Sequence, residues 1–299
     1  MKNRNHVLTV AGIFLVLGLA LYFVGAASFS GSKAGTGGST IAYREADYTA
    51  PAEEVQGIVI KARNMPVTVK VSQGNEVALR YYTSEEDPYE VTLESGVLTL
   101  KYTNTALFSI GSVFANASIF RALNGGSLEV ELTVPAAYAG SLRLDTSNGT
   151  ITAAGLDGMG ELTAETSNAA VNMTDISAKT VKIRTSNGGV TVERVLASGR
   201  LDAETSNGGV TARQTAAQDA LTITTSNGRI TVDMVTSKAI ELRSSNAPIS
   251  GTLGGRRGDY TIASSTSNGN NNLGSGGSGA SRLTVNTSNG AIDIRFSQE

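Results

Sequence analysis

The strongest constraint on this chain is a tripeptide that returns about every 20 residues. Thr-Ser-Asn, or Ser-Ser-Asn in one copy, occurs eight times from Thr146 onward. The eight asparagines are Asn148, Asn168, Asn187, Asn207, Asn227, Asn246, Asn268 and Asn289. Such a regular spacing is typical of solenoids, in which each repeat is one supersecondary unit that stacks on the next.

The residues around each tripeptide alternate between apolar and polar. Apolar residues lie six and four positions before the asparagine and three and five positions after it, as in Leu201, Ala203, Val210 and Ala212. Because the period is two on both sides, each repeat contains two short strands joined at the tripeptide.

Two architectures fit this pattern. Asn-Gly is a strong hairpin signal and would give an antiparallel meander, whereas a solenoid would stack each strand on its copy in the next coil. Identical side chains at matching positions favour stacking, and stacked asparagine amides can form a hydrogen-bonded ladder. Ala169 and Ala247 replace the glycine in two copies, although a type I′ turn needs positive φ there. We therefore predict an all-β, single-chain β-helix-like solenoid of about 20-residue coils, with the eight asparagines as a structural ladder.

The amino-terminal segment predicts a membrane anchor. Val7 to Phe29 are 23 consecutive uncharged residues preceded by Lys2 and Arg4, and about 20 apolar residues suffice to span a bilayer. The positive-inside tendency gives a single-pass cell-membrane protein with an extracytoplasmic carboxy-terminal domain. The alternative is a signal peptide cleaved near Gly25-Ala26-Ala27, followed by secretion.

Four regions follow from these patterns. Residues 1–29 are the transmembrane helix or signal peptide, 30–47 a Gly/Ser-rich linker, 48–140 an amino-terminal capping β region, and 141–299 the TSNG-repeat solenoid. Ala106–Leu123 is predicted to be a capping insertion or a contact patch. In the seventh repeat polar residues occupy apolar positions, so Gly269–Ser281 is predicted to be a flexible loop. The last coil, around Ile292–Phe296, is predicted to leave an open edge.

Composition excludes several classes of chemistry. The chain has no cysteine, one histidine (His6) and a net charge of −2. Thiol nucleophiles, histidine-dependent catalysis and histidine or cysteine metal sites are therefore excluded, and nucleic-acid binding is disfavoured. We predict no catalytic residue, no cofactor and no metal site.

One passage resembles a known family. LTVP followed by LRLDTSNG (Leu132 to Gly149), with the repeats after it, is similar to the bacterial putative-adhesin family of envelope proteins. The resemblance covers about residues 41–299. It implies a β-helix-like solenoid, sometimes membrane-anchored near envelope-stress systems, and it implies no catalytic residues.

These observations give three functional hypotheses. The first is a non-enzymatic cell-envelope surface protein, an adhesin or scaffold, whose partners are the membrane through its amino-terminal helix and a glycan or an envelope protein. Its candidate binding row is Thr152, Thr191, Thr211 and Thr231, whose hydroxyls would face outward along one stripe. The alternatives are a polysaccharide-active β-helix enzyme and an envelope-stress accessory protein. No clustered carboxylates of the kind a glycosidase needs are evident in the sequence.

Overall fold

The computed structural model describes residues 43–103 and 128–298. This part of the chain is built from strands of one continuous sheet and two short 3₁₀ turns. The strands are β1 Arg44–Pro51, β2 Gly57–Ala62, β3 Val67–Ser72, β4 Glu76–Thr83, β5 Tyr89–Glu94, β6 Val97–Tyr102, β7 Val130–Pro135, β8 Ser141–Thr146, β9 Ile151–Ala154, β10 Met159–Glu165, β11 Val171–Arg184, β12 Val190–Glu204, β13 Val210–Arg213, β14 Ala216–Ala217, β15 Ala220–Thr225, β16 Ile230–Ser237, β17 Ala239–Ser244, β18 Ile249–Leu253, β19 Tyr260–Thr266, β20 Ser281–Thr287 and β21 Ile292–Phe296.

Successive repeats stack as parallel coils. The long strand β12 pairs in register with three segments of the following coil, β13, β14 and β15. The strands therefore form three ladders. One contains the strands that precede the tripeptide and one the strands that follow it; a short middle ladder lies between a strand that follows one tripeptide and the strand that precedes the next. The predicted all-β solenoid is confirmed, and the antiparallel meander is wrong for the repeats.

Apolar side chains from all three ladders fill the interior. Leu201 lies between Val181 and Leu221 in register, and all three side chains are completely buried. Burying one such side chain contributes about 1.5–3 kcal/mol. Because the inward residues of most coils are apolar and match those of their neighbours, the stack buries one continuous core.

The last two coils are exchanged relative to the chain order. β20 pairs with β17 on one side and with β19 on the other, so the final repeat lies between the sixth and the seventh. The core explains this order, because Leu283 and Val285 in β20 can be buried on both sides. The seventh repeat has Ser264 among its inward positions and serves as the outer coil.

Two sequence expectations are therefore corrected. Asn271 bridges to Ile292 in parallel and Asn272 bonds to Ile294, so the first part of the β21 edge is covered and not open. The segment 269–281 is not a flexible loop, since it folds back over β19 through paired backbone hydrogen bonds between Ile262 and Gly276 at 2.8 and 2.9 Å. The glycines permit this reversal, and Gly276 adopts a φ of 138°, which other residues rarely reach.

The amino-terminal end has a comparable exchange. β2 lies between β6 and β8, and β3 between β7 and β9, so the coil of β2 and β3 is flanked on both sides by later parts of the chain. Beyond that coil the pairing becomes antiparallel, from β4 to β7 and from β5 to β6. β1 adds to β4 as an edge strand. Its sequence, READYTAP, carries charges that discourage edge-to-edge association.

Some sequence predictions fall outside the described residues. These are the anchor at Val7–Phe29, most of the 30–47 linker, and the Ala106–Leu123 segment. β1 begins at Arg44, so the last residues assigned to the linker belong to a strand. Within residues 43–103 and 128–298, no helix is long and apolar enough to cross a membrane.

Candidate functional site

The asparagines of the repeats form one continuous column. In each coil Nδ2 donates to Oδ1 of the asparagine in the adjacent coil, at 2.6–2.8 Å. The order along this Asn column is Asn64, Asn148, Asn168, Asn187, Asn207, Asn227, Asn246, Asn289 and Asn268. Asn64, in a degenerate copy of the motif, starts the column. The donors all point the same way, which lets successive amide groups polarise one another.

A second column, of buried hydroxyls, runs beside the amides. Thr205 Oγ1 accepts the N–H of Gly208 at 3.2 Å and donates to the carbonyl oxygen of Gly188 in the preceding coil at 3.0 Å. Equivalent hydroxyls belong to Thr146, Thr185, Thr225, Ser244 and Thr287. We call this set, with Thr205, the hydroxyl column.

Sequence reasoning missed the role of this threonine. The signal was present, because the first residue of the motif is threonine in seven copies and serine in one. Ser244 makes both contacts, at 3.1 and 3.2 Å, so the site requires a hydroxyl and not a methyl group. The hydroxyl column satisfies backbone groups that the bend leaves without a strand partner.

In six copies the motif has a glycine where adjacent coils approach closely, although Ala169 and Ala247 occupy the position in the other two. A Cβ atom at Gly208 would lie 1.8 Å from the carbonyl oxygen of Gly188, and one at Gly228 would lie 1.7 Å from that of Gly208. Neither glycine has positive φ. Glycine is therefore selected at these bends by space between coils and not by a hairpin turn.

The fold also brings together the threonines that the sequence analysis predicted as a binding row. Thr191, Thr211 and Thr231 are neighbours in register, and Thr152 continues the row through Asn172. We call these four threonines the outer threonine row. Their side chains are half-buried at the surface of the ladder that follows the tripeptide.

Charged side chains on the ladder that precedes the tripeptide form ion pairs. Arg184 lies in register between Glu165 and Glu204 and forms an ion pair with Glu204 at 2.7 Å. Arg143 bridges the like-charged neighbours Asp145 and Glu165 at 2.9 and 2.8 Å. Exposed pairs of this kind contribute about 0–1 kcal/mol each. They organise the surface and leave no free cluster of carboxylates there.

The acid run Glu85–Asp87, the densest in the sequence, lies in the loop between β4 and β5. Asp87 is buried, and its Oδ2 accepts a hydrogen bond from the Tyr43 hydroxyl at 3.2 Å. Burial raises the pKa of the Asp87 carboxyl above its ordinary value. Its backbone N–H donates to Ser84 Oγ at 2.9 Å, so these contacts hold the loop together.

The structure adds a concave surface that the sequence did not reveal. A groove of about 1120 Å³ follows the short middle ladder from Gly158 to Tyr260. Small residues such as Ala197 and Ala217 make this side of the coils concave, and Leu196 is 55% exposed within it. We call it the middle-strand groove. It crosses at least five coils, which corresponds to a length on the order of 25 Å.

Hydrogen-bonding side chains line much of the middle-strand groove. Ser177, Ser198, Gln218 and Ser237 come from four successive coils. Lys238 is paired with Asp219 at 3.3 Å on the rim. Across the ranges that the structure describes, no group of three or more histidine, cysteine or acidic residues could hold a metal ion. The groove therefore offers polar and apolar contacts repeated along one axis.

Fold and surface together define a β-solenoid repeat domain with a periodic polar exterior. The Toastrack DUF4097 family model matches residues 55–195 and again residues 158–295. The chain belongs to this family, which has no established function. The resemblance to the bacterial putative-adhesin family is confirmed.

Solved structures of similar chains carry adhesin names. A putative adhesin from Bacteroides fragilis is 12% identical, with 84% of this chain and 97% of that chain covered and a TM-score of 0.46. A putative adhesin from Parabacteroides distasonis is 9% identical, with 84% and 97% covered and a TM-score of 0.40. A putative cell adhesion protein from Clostridium sporogenes is 11% identical, with 85% and 100% covered and a TM-score of 0.29. None of the curated proteins matches this chain.

Proposed function

We propose that this protein is a non-enzymatic cell-envelope surface protein that binds a linear glycan along the stack of coils. Its body lies outside the cytoplasmic membrane, held by the predicted segment Val7–Phe29. One observation carries the proposal: the middle-strand groove runs along at least five successive coils and presents small and polar residues along one axis. A polymer with repeated hydroxyl groups is the natural ligand of such a surface.

The groove has the character of a ligand site. Ligand pockets are concave and largely apolar, with a few polar groups that orient the ligand. Leu196 offers an exposed apolar contact for a sugar ring, and Ser198 and Gln218 offer a hydroxyl and an amide group. Because its lining comes from at least five coils, the groove suits an extended chain better than a compact small molecule.

The outer threonine row is the second surface on which a glycan could lie. Its hydroxyls are in register, as a repetitive ligand requires, but the side chains are half-buried on a ladder of extended strands. A row of this kind presents one hydroxyl per coil, spaced by about 4.8 Å. The two surfaces can be separated by mutation.

The test is glycan-array and envelope-fraction binding by the purified protein and three variants. Ala216→Phe fills the middle-strand groove, and a triple alanine variant at Thr191, Thr211 and Thr231 removes the outer threonine row. A matched triple alanine variant at Thr222, Thr224 and Thr284 removes three half-buried threonines from the ladder before the tripeptide.

We expect Ala216→Phe to abolish binding and the Thr222, Thr224 and Thr284 control to retain it. Loss of binding only in the outer-row variant would move the site to those threonines. Unchanged binding in both test variants, or no glycan bound by the unmodified protein, would refute the proposal. Far-ultraviolet circular dichroism establishes that each variant remains folded.

An enzymatic role would need a different surface. A glycosidase uses two carboxyl groups that face each other across the scissile bond, whereas Asp145, Glu165 and Glu204 are engaged by arginines. Turnover of pectin, alginate or peptidoglycan with added Ca²⁺ would overturn the non-enzymatic assignment. A deletion strain with an altered envelope-stress response and normal attachment would favour the accessory role.

A further inference from the structure

We propose that Asn268 is a modification site, the preferred point of spontaneous deamidation in the Asn column. Six of its members are followed by glycine, the residue that least obstructs this reaction: Asn148, Asn187, Asn207, Asn227, Asn268 and Asn289. The proposal concerns the chemistry of the repeat itself and is independent of glycan binding.

The reaction uses the backbone and one water molecule. The nitrogen of the following glycine loses its proton and attacks Cγ of the asparagine, forming a new C–N bond. The side-chain nitrogen leaves as ammonia and a five-membered succinimide remains. Water then opens either carbonyl of the ring, which gives aspartate or isoaspartate. The glycine N–H must be free, and the asparagine side chain must be able to rotate toward it.

At five of the six positions the fold restrains the nucleophile. The glycine N–H donates to the hydroxyl of the same tripeptide at 3.1–3.2 Å, as Gly208 does to Thr205. At the sixth position Thr266 Oγ1 donates to the carbonyl of Gly290 at 2.8 Å. Among the described residues, no hydrogen bond restrains the N–H of Gly269.

The same position is the end of the Asn column. Asn207 is held on both sides, since it donates to Asn187 and accepts from Asn227. Asn268 donates to Asn289 at 2.7 Å, and its own Oδ1 accepts from no further asparagine in the described column. Rotation of the Asn268 side chain therefore breaks one amide hydrogen bond, where rotation of an internal asparagine breaks two.

Both differences favour reaction at Asn268. Each hydrogen bond that need not be broken accelerates the step by a factor on the order of two to ten. We therefore expect Asn268 to deamidate on the order of tenfold faster than Asn207. The product carboxylate cannot donate to Asn289, so the outermost bond of the Asn column is lost and a negative charge appears on the outer coil.

The test is peptide mass mapping of the full chain during incubation at mildly alkaline pH. Asn268 should gain the deamidation mass shift first, and Asn268→Gln should remove that signal. In concentrated urea all six sites should react at similar rates, because the protection comes from the fold. The variant Thr205→Val, shown to be folded, should accelerate reaction at Asn207, because valine cannot accept the Gly208 N–H.

Three results would overturn the proposal: equal rates at Asn268 and Asn207 in the folded protein, preference for Asn268 in urea, or an unchanged rate at Asn207 in folded Thr205→Val.

Discussion

The hydroxyl column, and not the more conspicuous Asn column, is expected to hold adjacent coils together. Thr205 is 2% exposed and makes one hydrogen bond within its own coil and one to the preceding coil. Thr205→Val keeps the shape of the side chain and removes both bonds. Each lost bond costs about 1 kcal/mol, and each backbone group left without a partner adds up to a further kcal/mol or so. We expect a loss of about 2–4 kcal/mol in the free energy of unfolding.

Two matched variants isolate the cause. Thr205→Ser keeps the hydroxyl, as Ser244 does in its own coil, and should cost less than about 1 kcal/mol. Asn207→Ala removes two amide bonds at an exposed position, where water replaces them, and should cost about 1 kcal/mol.

Urea unfolding followed by circular dichroism measures all three variants under the same conditions. Cooperative unfolding with an unchanged dependence on urea concentration allows the free energies to be compared directly. A larger loss for Asn207→Ala than for Thr205→Val would refute the reasoning, because it would mean that the exposed amides are the main support of the stack.

Three further outcomes are expected. Leu283→Ala should lower the free energy of unfolding by about 3–5 kcal/mol, because Leu283 lies between two coils. Ile262→Ala should lower it by about 2–3 kcal/mol, because Ile262 lies in the outer coil. The opposite ranking in urea unfolding would contradict the exchanged order of the coils. Asp87→Asn should stabilise the protein at neutral pH and lose that advantage on acidification. The raised pKa means that the native state binds a proton more readily than the unfolded chain, so the Asp87 carboxyl lowers the stability of the protein as pH rises through its pKa. An equal effect of Asp87→Asn at neutral and at acidic pH would argue against burial of a charge. Gln214→Gly should be neutral or stabilising by up to about 1 kcal/mol, because Gln214 has a φ of 48°; a clear loss in thermal unfolding would show that its side chain contributes more than the strain costs.

How much of the candidate site was predictable differs between its parts. The asparagines and the outer threonine row could be found from sequence, because a ladder places identical residues of successive coils in register. The middle-strand groove could not, because its lining changes from Ser177 to Leu196 to Ala216 at matching positions. Its concavity comes from small buried residues such as Ala197, which sequence alone does not distinguish from ordinary core.

The alternation of apolar and polar residues by itself determined which side chains face the core, and the repeated tripeptide determined the register between coils. Both follow from local geometry, since a strand has a period of two and matching copies stack best in register. The order of the coils at the two ends was decided only in the tertiary structure. Any two copies can stack in the same register, so the exchange of the last two coils depends on which of them can be buried on both sides. Leu283 and Val285 can be buried in this way, whereas Ser264 cannot without losing its polar contacts.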